Sequence, residues 1–161
     1  MADTATAYVG IGANLGDARQ TARAAITAID RLPDTRVDAC SSLYVSAPVD
    51  ASGDDFINAV VRLHTDLPAQ SLLENLQHIE HAFGRERPFR NAPRTLDLDL
   101  LIYDQLQTST TRLELPHPRM SERAFVLLPL LELAPDIHIP GKGAASSFLA
   151  GVSSQQIERL S

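Results

Sequence analysis

The chain has 161 residues, 44% hydrophobic and 21% charged, with a net charge of -6, which suits one globular domain spanning 1–161 with a core of its own. The acidic balance argues against a general nucleic-acid binder, which shows a basic surface, and the single Cys40 excludes an intrachain disulfide. No run approaches membrane-spanning length and the first residues lack the basic and apolar parts of a signal peptide, so a cytoplasmic protein, monomeric and without membrane partners, is expected.

Tyr8 to Ala13 reads as a first strand, rich in glycine at Gly10, Gly12 and, just beyond, Gly16. The spacing is G-x-G-x-x-x-G, one residue too long for a dinucleotide fingerprint, and no parallel unit follows. Glycines for close packing and a tight turn are the expectation there. Asp17 is placed to N-cap a helix with apolar positions Ala22, Ala25, Ile26, Ile29 and Leu32, stopped by Pro33.

Val37 to Val45 reads as a second strand and Phe56 to Thr65 as a third, with a Pro48- and Gly53-containing loop between them. The third strand puts Ile57, Ala59, Val61 and Leu63 on one face and Phe56, Asn58, Val60 and Arg62 on the other. Asn58 is the odd member. A central-strand amide needs partners for its donors and acceptor, and an amide beside aromatics suits a flat heterocycle with mixed donors and acceptors.

A second helix lies between Pro68 and Gly84, with Leu72, Leu73, Leu76, Ile79 and Phe83 as its buried stripe and Gln77 and Glu80 on the flank. His78 and His81 stand three apart on it. No third ligand is suitably spaced, so they read as exposed helical histidines. Residues 84–94 carry Arg85, Arg87, Arg90 and Arg94 against Glu86, punctuated by Pro88 and Pro93. Such a run is usually a solvated loop, but its place directly before the next strand favours a basic lid over phosphates.

That strand is Leu96-Asp97-Leu98-Asp99-Leu100-Leu101-Ile102. Residues two apart share a face, so Asp97 and Asp99 project together, roughly 7 Å apart. Two unpaired anions on a core strand are costly, and a hard divalent cation with oxygen ligands resolves the cost. Preceding Arg94 suggests that the cation's other ligand is anionic, which makes a metal-phosphate site. Downstream, His117 sits in Pro116-His117-Pro118, where the prolines fix the backbone and aim the ring. Arg119 and Arg123 add cations, a third helix spans Arg123 to Leu133 with Phe125 at its start, and a weakly patterned tail closes the chain. The element order β-α-β-β-α-β is that of an α+β, ferredoxin-like core, an antiparallel sheet with helices packed on one face.

Taken in order, these motifs resemble the 6-hydroxymethyl-7,8-dihydropterin pyrophosphokinase family. The resemblance runs from Tyr8 to Pro135 through Gly10 to Gly16, Ser42-Leu43-Tyr44, Phe56-Ile57-Asn58-Ala59, Ile79-Glu80, Gly84-Arg85, Pro93 to Asp99, and Pro116-His117-Pro118-Arg119-Met120 with Arg123 and Phe125. It implies transfer of the terminal diphosphate of ATP to the pterin hydroxymethyl oxygen, with release of AMP, in folate biosynthesis. It also implies two Mg²⁺ ions on Asp97 and Asp99, and Arg85 and Arg94 acting with them in catalysis. ATP contacts would come from Leu73, Gln77, Glu80, Arg85, Arg87, Arg94, Leu100, Arg112, His117 and Arg123. The pterin would lie between Phe56 and Phe125, read by Asn58, by Asp97 and by main-chain groups around Ser46 and Val49.

The chain departs from the family pattern at Asn91, where many members have tryptophan, in a loop one residue shorter than in some, and at Glu114, often a hydroxyl residue. Two other readings compete. A non-catalytic ferredoxin-like nucleotide- or RNA-binding module would show aromatics on a basic sheet face, against the acidic total and 5% aromatic content. A two-metal phosphohydrolase would need more clustered carboxylates than Asp97, Asp99 and Glu80.

Overall fold

Apolar residues recur at every second position in three stretches of the sequence, and these form the centre of one antiparallel sheet. The computed structural model describes residues 4–14, 17–47, 55–84 and 96–160. Among them the chain runs β1 (Ala5–Ala13), α1 (Ala18–Asp30), β2 (Thr35–Cys40), β3 (Tyr44–Ser46), β4 (Phe56–Thr65), α2 (Ala69–Gly84) and β5 (Leu96–Tyr103). Short strands β6 (Thr108–Ser109) and β7 (Glu114–Leu115), helix α3 (Ala124–Leu133), hairpin strands β8 (His138–Ile139) and β9 (Gly143–Ala144), and β10 (Ile157–Arg159) follow. The main sheet has the order β10-β3-β4-β1-β5, with β2 also paired to β4. Its pairings are antiparallel, which gives the expected ferredoxin-like α+β core. No helix among the described residues is long and apolar enough to cross a membrane.

The helices start where the sequence placed their caps. Asp17 accepts a hydrogen bond from the Gln20 N–H at 3.1 Å, and Ala22, Ala25 and Ile29 of α1 are fully buried. The Pro68 carbonyl accepts from the Leu72 N–H at the start of α2. Leu72, Leu76 and Ile79 then share a core with Ala22, Ile29, Leu96, Leu98 and Leu100.

The predicted second strand is two strands. The Ser41 N–H donates to the Val60 carbonyl and its hydroxyl accepts from the Val60 N–H, both at 2.9 Å. A side chain thus replaces a ladder carbonyl, and the chain leaves the β2 line before β3 begins. Hydrophobic alternation carries no sign of that exchange.

Strand β5 changes face part-way. Val9 pairs with Leu100 and Tyr8 with Ile102, which leaves Leu101 as an extra, bulged residue. Leu96, Leu98 and Leu100 therefore meet α1 and α2, whereas Leu101 and Ile102 join Tyr8, Val60, Leu127 and Leu130 in a second core beneath α3. Helix α3 adds a layer on the opposite face from α1 and α2. The weakly patterned tail ends in β10, which pairs with β3.

Candidate active site

The floor of the site is the face of the sheet turned toward α3. β1 runs between β4 and β5, so Gly12 pairs with Asn58 on one side and Asp97 on the other, and Gly10 with Val60 and Asp99. Among the described residues, a Cβ on Gly12 would meet only Asn58 Oδ1, at 3.7 Å, and one on Gly10 would meet the Leu101 side chain from 3.5 Å. These are ordinary contact distances. Neither approach is close enough to require glycine; Gly10 lies against the Leu101 side chain, and Gly12 leaves no side chain between the amide of Asn58 and the carboxylate of Asp97.

Asn58, only 2% exposed, donates from Nδ2 to the Ser46 hydroxyl at 2.7 Å. That bond orients the amide and ties β4 to the end of β3. Phe56 and Phe125 are both half-buried. Arg123 lies over the Phe125 ring, 5.4 Å from its centroid, and its Nη1 is 4.0 Å from Asp99 Oδ2. His117 Nε2 is 3.9 Å from Asp99 Oδ1.

The His117 ring is fixed from behind. Its Nδ1 accepts from the Arg119 N–H at 3.2 Å, which leaves Nε2, on the Asp99 side, as the protonated nitrogen of the neutral ring. Its own N–H donates to the Leu101 carbonyl at 2.9 Å. Burial holds the imidazole below its usual range, with Asp99 raising it and Arg123 lowering it. Asp99 thus faces two nitrogens at separations beyond hydrogen bonding, and the Asp97/Asp99 pair presents oxygen donors of the type a hard cation takes.

Of the other expected site residues, Gln77 is exposed on α2 and Leu73 is half-buried on its flank. Glu80 accepts from the Leu98 N–H at 2.7 Å. Leu100 is 4% exposed, with its side chain in the core under α1 and α2, so only its main chain is available to a ligand. Arg112 sits exposed in the turn joining β6 to β7. Arg85, Arg87, Arg94 and Val49, together with Asn91, lie outside the described residues. A cavity of about 830 Å³ opens between β3, α3 and the C-terminal segment, lined by Ser46, Arg119, Arg123, Phe125, Gln155 and Ile157 among others.

Two parts of this arrangement had no reading in the sequence. Glu132 near the end of α3 accepts from the Tyr44 hydroxyl at 2.7 Å, the Ser42 N–H at 2.9 Å and the Ser42 hydroxyl at 3.0 Å. It thereby pins the segment that leads to Ser46. Gln155 borders the cavity from the far end of the chain. No spacing links either to its partners, 88 to 90 and 31 to 33 residues away. The glycine floor did carry a signal, since glycines two apart inside a strand mark room for a close approach.

A ferredoxin-like sheet that carries an Asp-x-Asp pair beside arginine and histidine, next to a pocket edged by Phe125, defines a phosphoryl-transfer enzyme. Residues 8–135 match the family model described as 7,8-dihydro-6-hydroxymethylpterin-pyrophosphokinase. A 2-amino-4-hydroxy-6-hydroxymethyldihydropteridine pyrophosphokinase of Pseudomonas aeruginosa is 44% identical, over 95% of both chains. Its counterpart from Methylorubrum extorquens is 42% identical, over 96% of this chain and 98% of its own. The fold is also that of solved HPPK-DHPS chains. One, described as in complex with substrates, has a TM-score of 0.71 at 12% identity over 92% of this chain and 43% of its own. A wild-type chain from Plasmodium falciparum has a TM-score of 0.71 at 13% identity, over 92% and 44%. This chain spans less than half the length of those solved chains.

The chain belongs to the 7,8-dihydro-6-hydroxymethylpterin-pyrophosphokinase family. It is an ATP-dependent diphosphotransferase of folate biosynthesis, passing diphosphate from ATP to the hydroxymethyl group of the reduced pterin and releasing AMP.

Proposed function

We propose that the sheet face between Asn58 and Asp99 is where this transfer takes place, and that the chain works as a single-domain monomer. The observation that carries the reading is the row Asn58, Gly12, Asp97, with Gly10 and Asp99 beside it. It sets a heterocycle-reading amide and two carboxylates on one floor, with a glycine rather than a side chain between Asn58 and Asp97.

In this reading Asn58, its Nδ2 donating to the Ser46 hydroxyl and, at 3.4 Å, to the Phe56 carbonyl, turns its amide oxygen to the pterin edge. Phe56 and Phe125 hold the ring, with main-chain groups near Ser46 and Val49 and the carboxylate of Asp97 completing the contact. Asp97 and Asp99 hold two Mg²⁺ ions, which when bound neutralise the ATP phosphates and align them with the pterin oxygen. His117, held with Nε2 forward, and Arg123 contact the phosphates from the α3 side. Arg85, Arg87 and Arg94 contribute from the segment before β5, with Arg85 and Arg94 stabilising the charge in transit. Leu73, Gln77, Glu80, the main chain of Leu100 and Arg112 surround the nucleotide. Alignment and charge neutralisation supply the rate, so no nucleophilic side chain is needed.

The test is an assay of the purified chain with Mg²⁺, ATP and the reduced hydroxymethylpterin, with adenine nucleotides resolved. AMP that forms only when pterin is present supports the reading. ADP, or phosphate release without pterin, contradicts it.

A further inference from the structure

The family match ends at residue 135, yet the segment after residue 152 reaches both walls of the cavity. β10 pairs Ile157 with Ser46 and Arg159 with Tyr44, on the wall that carries the Ser46–Asn58 bond. Two residues before β10, the Gln155 side chain meets the opposite wall. Its Oε1 accepts from the Ala124 N–H at 2.9 Å and its Nε2 donates to the Glu122 carbonyl at 2.8 Å.

Those two groups bracket Arg123. The Ala124 N–H is among the first donors of α3, which has no partner within the helix, and Arg123, the N-cap residue, supplies no side-chain cap of its own. Arg123 is also extended, with φ -125 and ψ 113, so its direction depends on how the peptides on either side are held. One amide that grips both fixes the point from which the guanidinium reaches Phe125 and Asp99.

We propose that Gln155 is a positioning residue for diphosphate transfer, acting through Arg123 and Phe125 by clamping the turn that presents them. This rests on the roles of Arg123 and Phe125 given above. It extends the working site to a part of the chain beyond the family match, and it makes the C-terminal segment a brace between the pterin-side and phosphate-side walls.

The experiment compares Gln155→Met, which keeps the shape and loses both hydrogen bonds, with Gln155→Glu, which keeps the acceptor for the Ala124 N–H. Glu158→Ala, on the adjoining strand β10, is the control. With the full chain, ATP, Mg²⁺ and the reduced pterin, Gln155→Met should lower kcat and raise the pterin KM, together costing about tenfold in kcat/KM. Gln155→Glu should recover part of that loss, and Glu158→Ala should match the wild type. A clamp that acts through Arg123 further predicts that the Gln155→Met penalty shrinks in an Arg123→Ala background. Wild-type kinetics in Gln155→Met, or an undiminished penalty in the double variant, would overturn the proposal. If Gln155→Met does not fold, Gln155→Glu carries the same comparison. Wild-type turnover in Arg123→Ala alone would instead remove the reading of Arg123, and this inference with it.

Discussion

The carboxylate of Glu80 accepts a hydrogen bond from the backbone N–H of Leu98, the residue between Asp97 and Asp99, at 2.7 Å. β5 ends the sheet order, and an edge strand presents N–H groups with no neighbouring strand. Glu80 takes one of them and so fixes the strand that carries the two aspartates. Substituting a group that orients metal-holding residues typically costs ten- to a hundredfold in metal affinity. Glu80→Ala should therefore raise the Mg²⁺ concentration needed for half-maximal turnover by about tenfold. Glu80→Gln, which keeps an acceptor oxygen, should stay near the wild type. A Mg²⁺ titration of activity checks this, and equal curves for Glu80→Ala and the wild type would contradict it.

The glycine floor gives a second expectation. A methyl on Gly12 fits the protein itself, meeting only Asn58 Oδ1 at 3.7 Å among the described residues. It would, however, fill space between Asn58 and Asp97. Gly12→Ala should fold normally and raise the pterin KM by about tenfold through overpacking against the ligand, with the ATP KM much less affected. Unchanged pterin kinetics would mean that the ring does not lie over β1.

The Tyr44–Glu132 pair ties β3 to α3, and both ends titrate. Burial alone would push the Glu132 carboxyl up, but hydrogen bonds from Tyr44 and Ser42, with Arg159 nearby, hold it below its ordinary 4.5. Its contribution to stability is present above that value and is lost as the pH falls through the depressed folded one. Tyr44 shifts the other way, from 10.0 to about 12, through burial and then its bond to Glu132. Its contribution is full below 10.0 and is lost as the pH rises toward about 12. Tyr44→Phe should lose about 2 kcal/mol at neutral pH and flatten the alkaline limb. Urea unfolding at a series of pH values reads both effects, and parallel wild-type and variant curves above pH 10 would contradict them.

Much of this was legible in the sequence because it is local. The Asp17 cap, the Leu72, Leu76 and Ile79 part of the α2 stripe, and the two-residue period of β4 and of β5 as far as Leu100 are short-range patterns that formed as expected. The Asp97/Asp99 pair was legible because two charges in an apolar strand have few physical solutions. What stayed hidden depends on pairings across the chain. The Ser41 hydroxyl breaks a predicted strand by bonding to β4, Leu101 turns β5 from one core to the other by bulging, and Gln155 and Glu132 act on partners far off in sequence. The glycines were visible, but their purpose depends on which residues stand across from them in neighbouring strands.

The proposed site depends on Asp97 and Asp99 together holding two divalent ions against ATP on this floor. The most direct measurement counts Mn²⁺ bound per chain, by electron paramagnetic resonance, in the ternary complex with a non-hydrolysable ATP analogue and the reduced pterin. Two ions are expected in the wild type, with fewer in Asp97→Asn and Asp99→Asn, which should retain their folded circular dichroism while turnover falls a hundredfold or more, on the order expected when transition-state charge loses its support. Two ions still bound in a folded Asp97→Asn, Asp99→Asn double variant would show that the pair does not hold them.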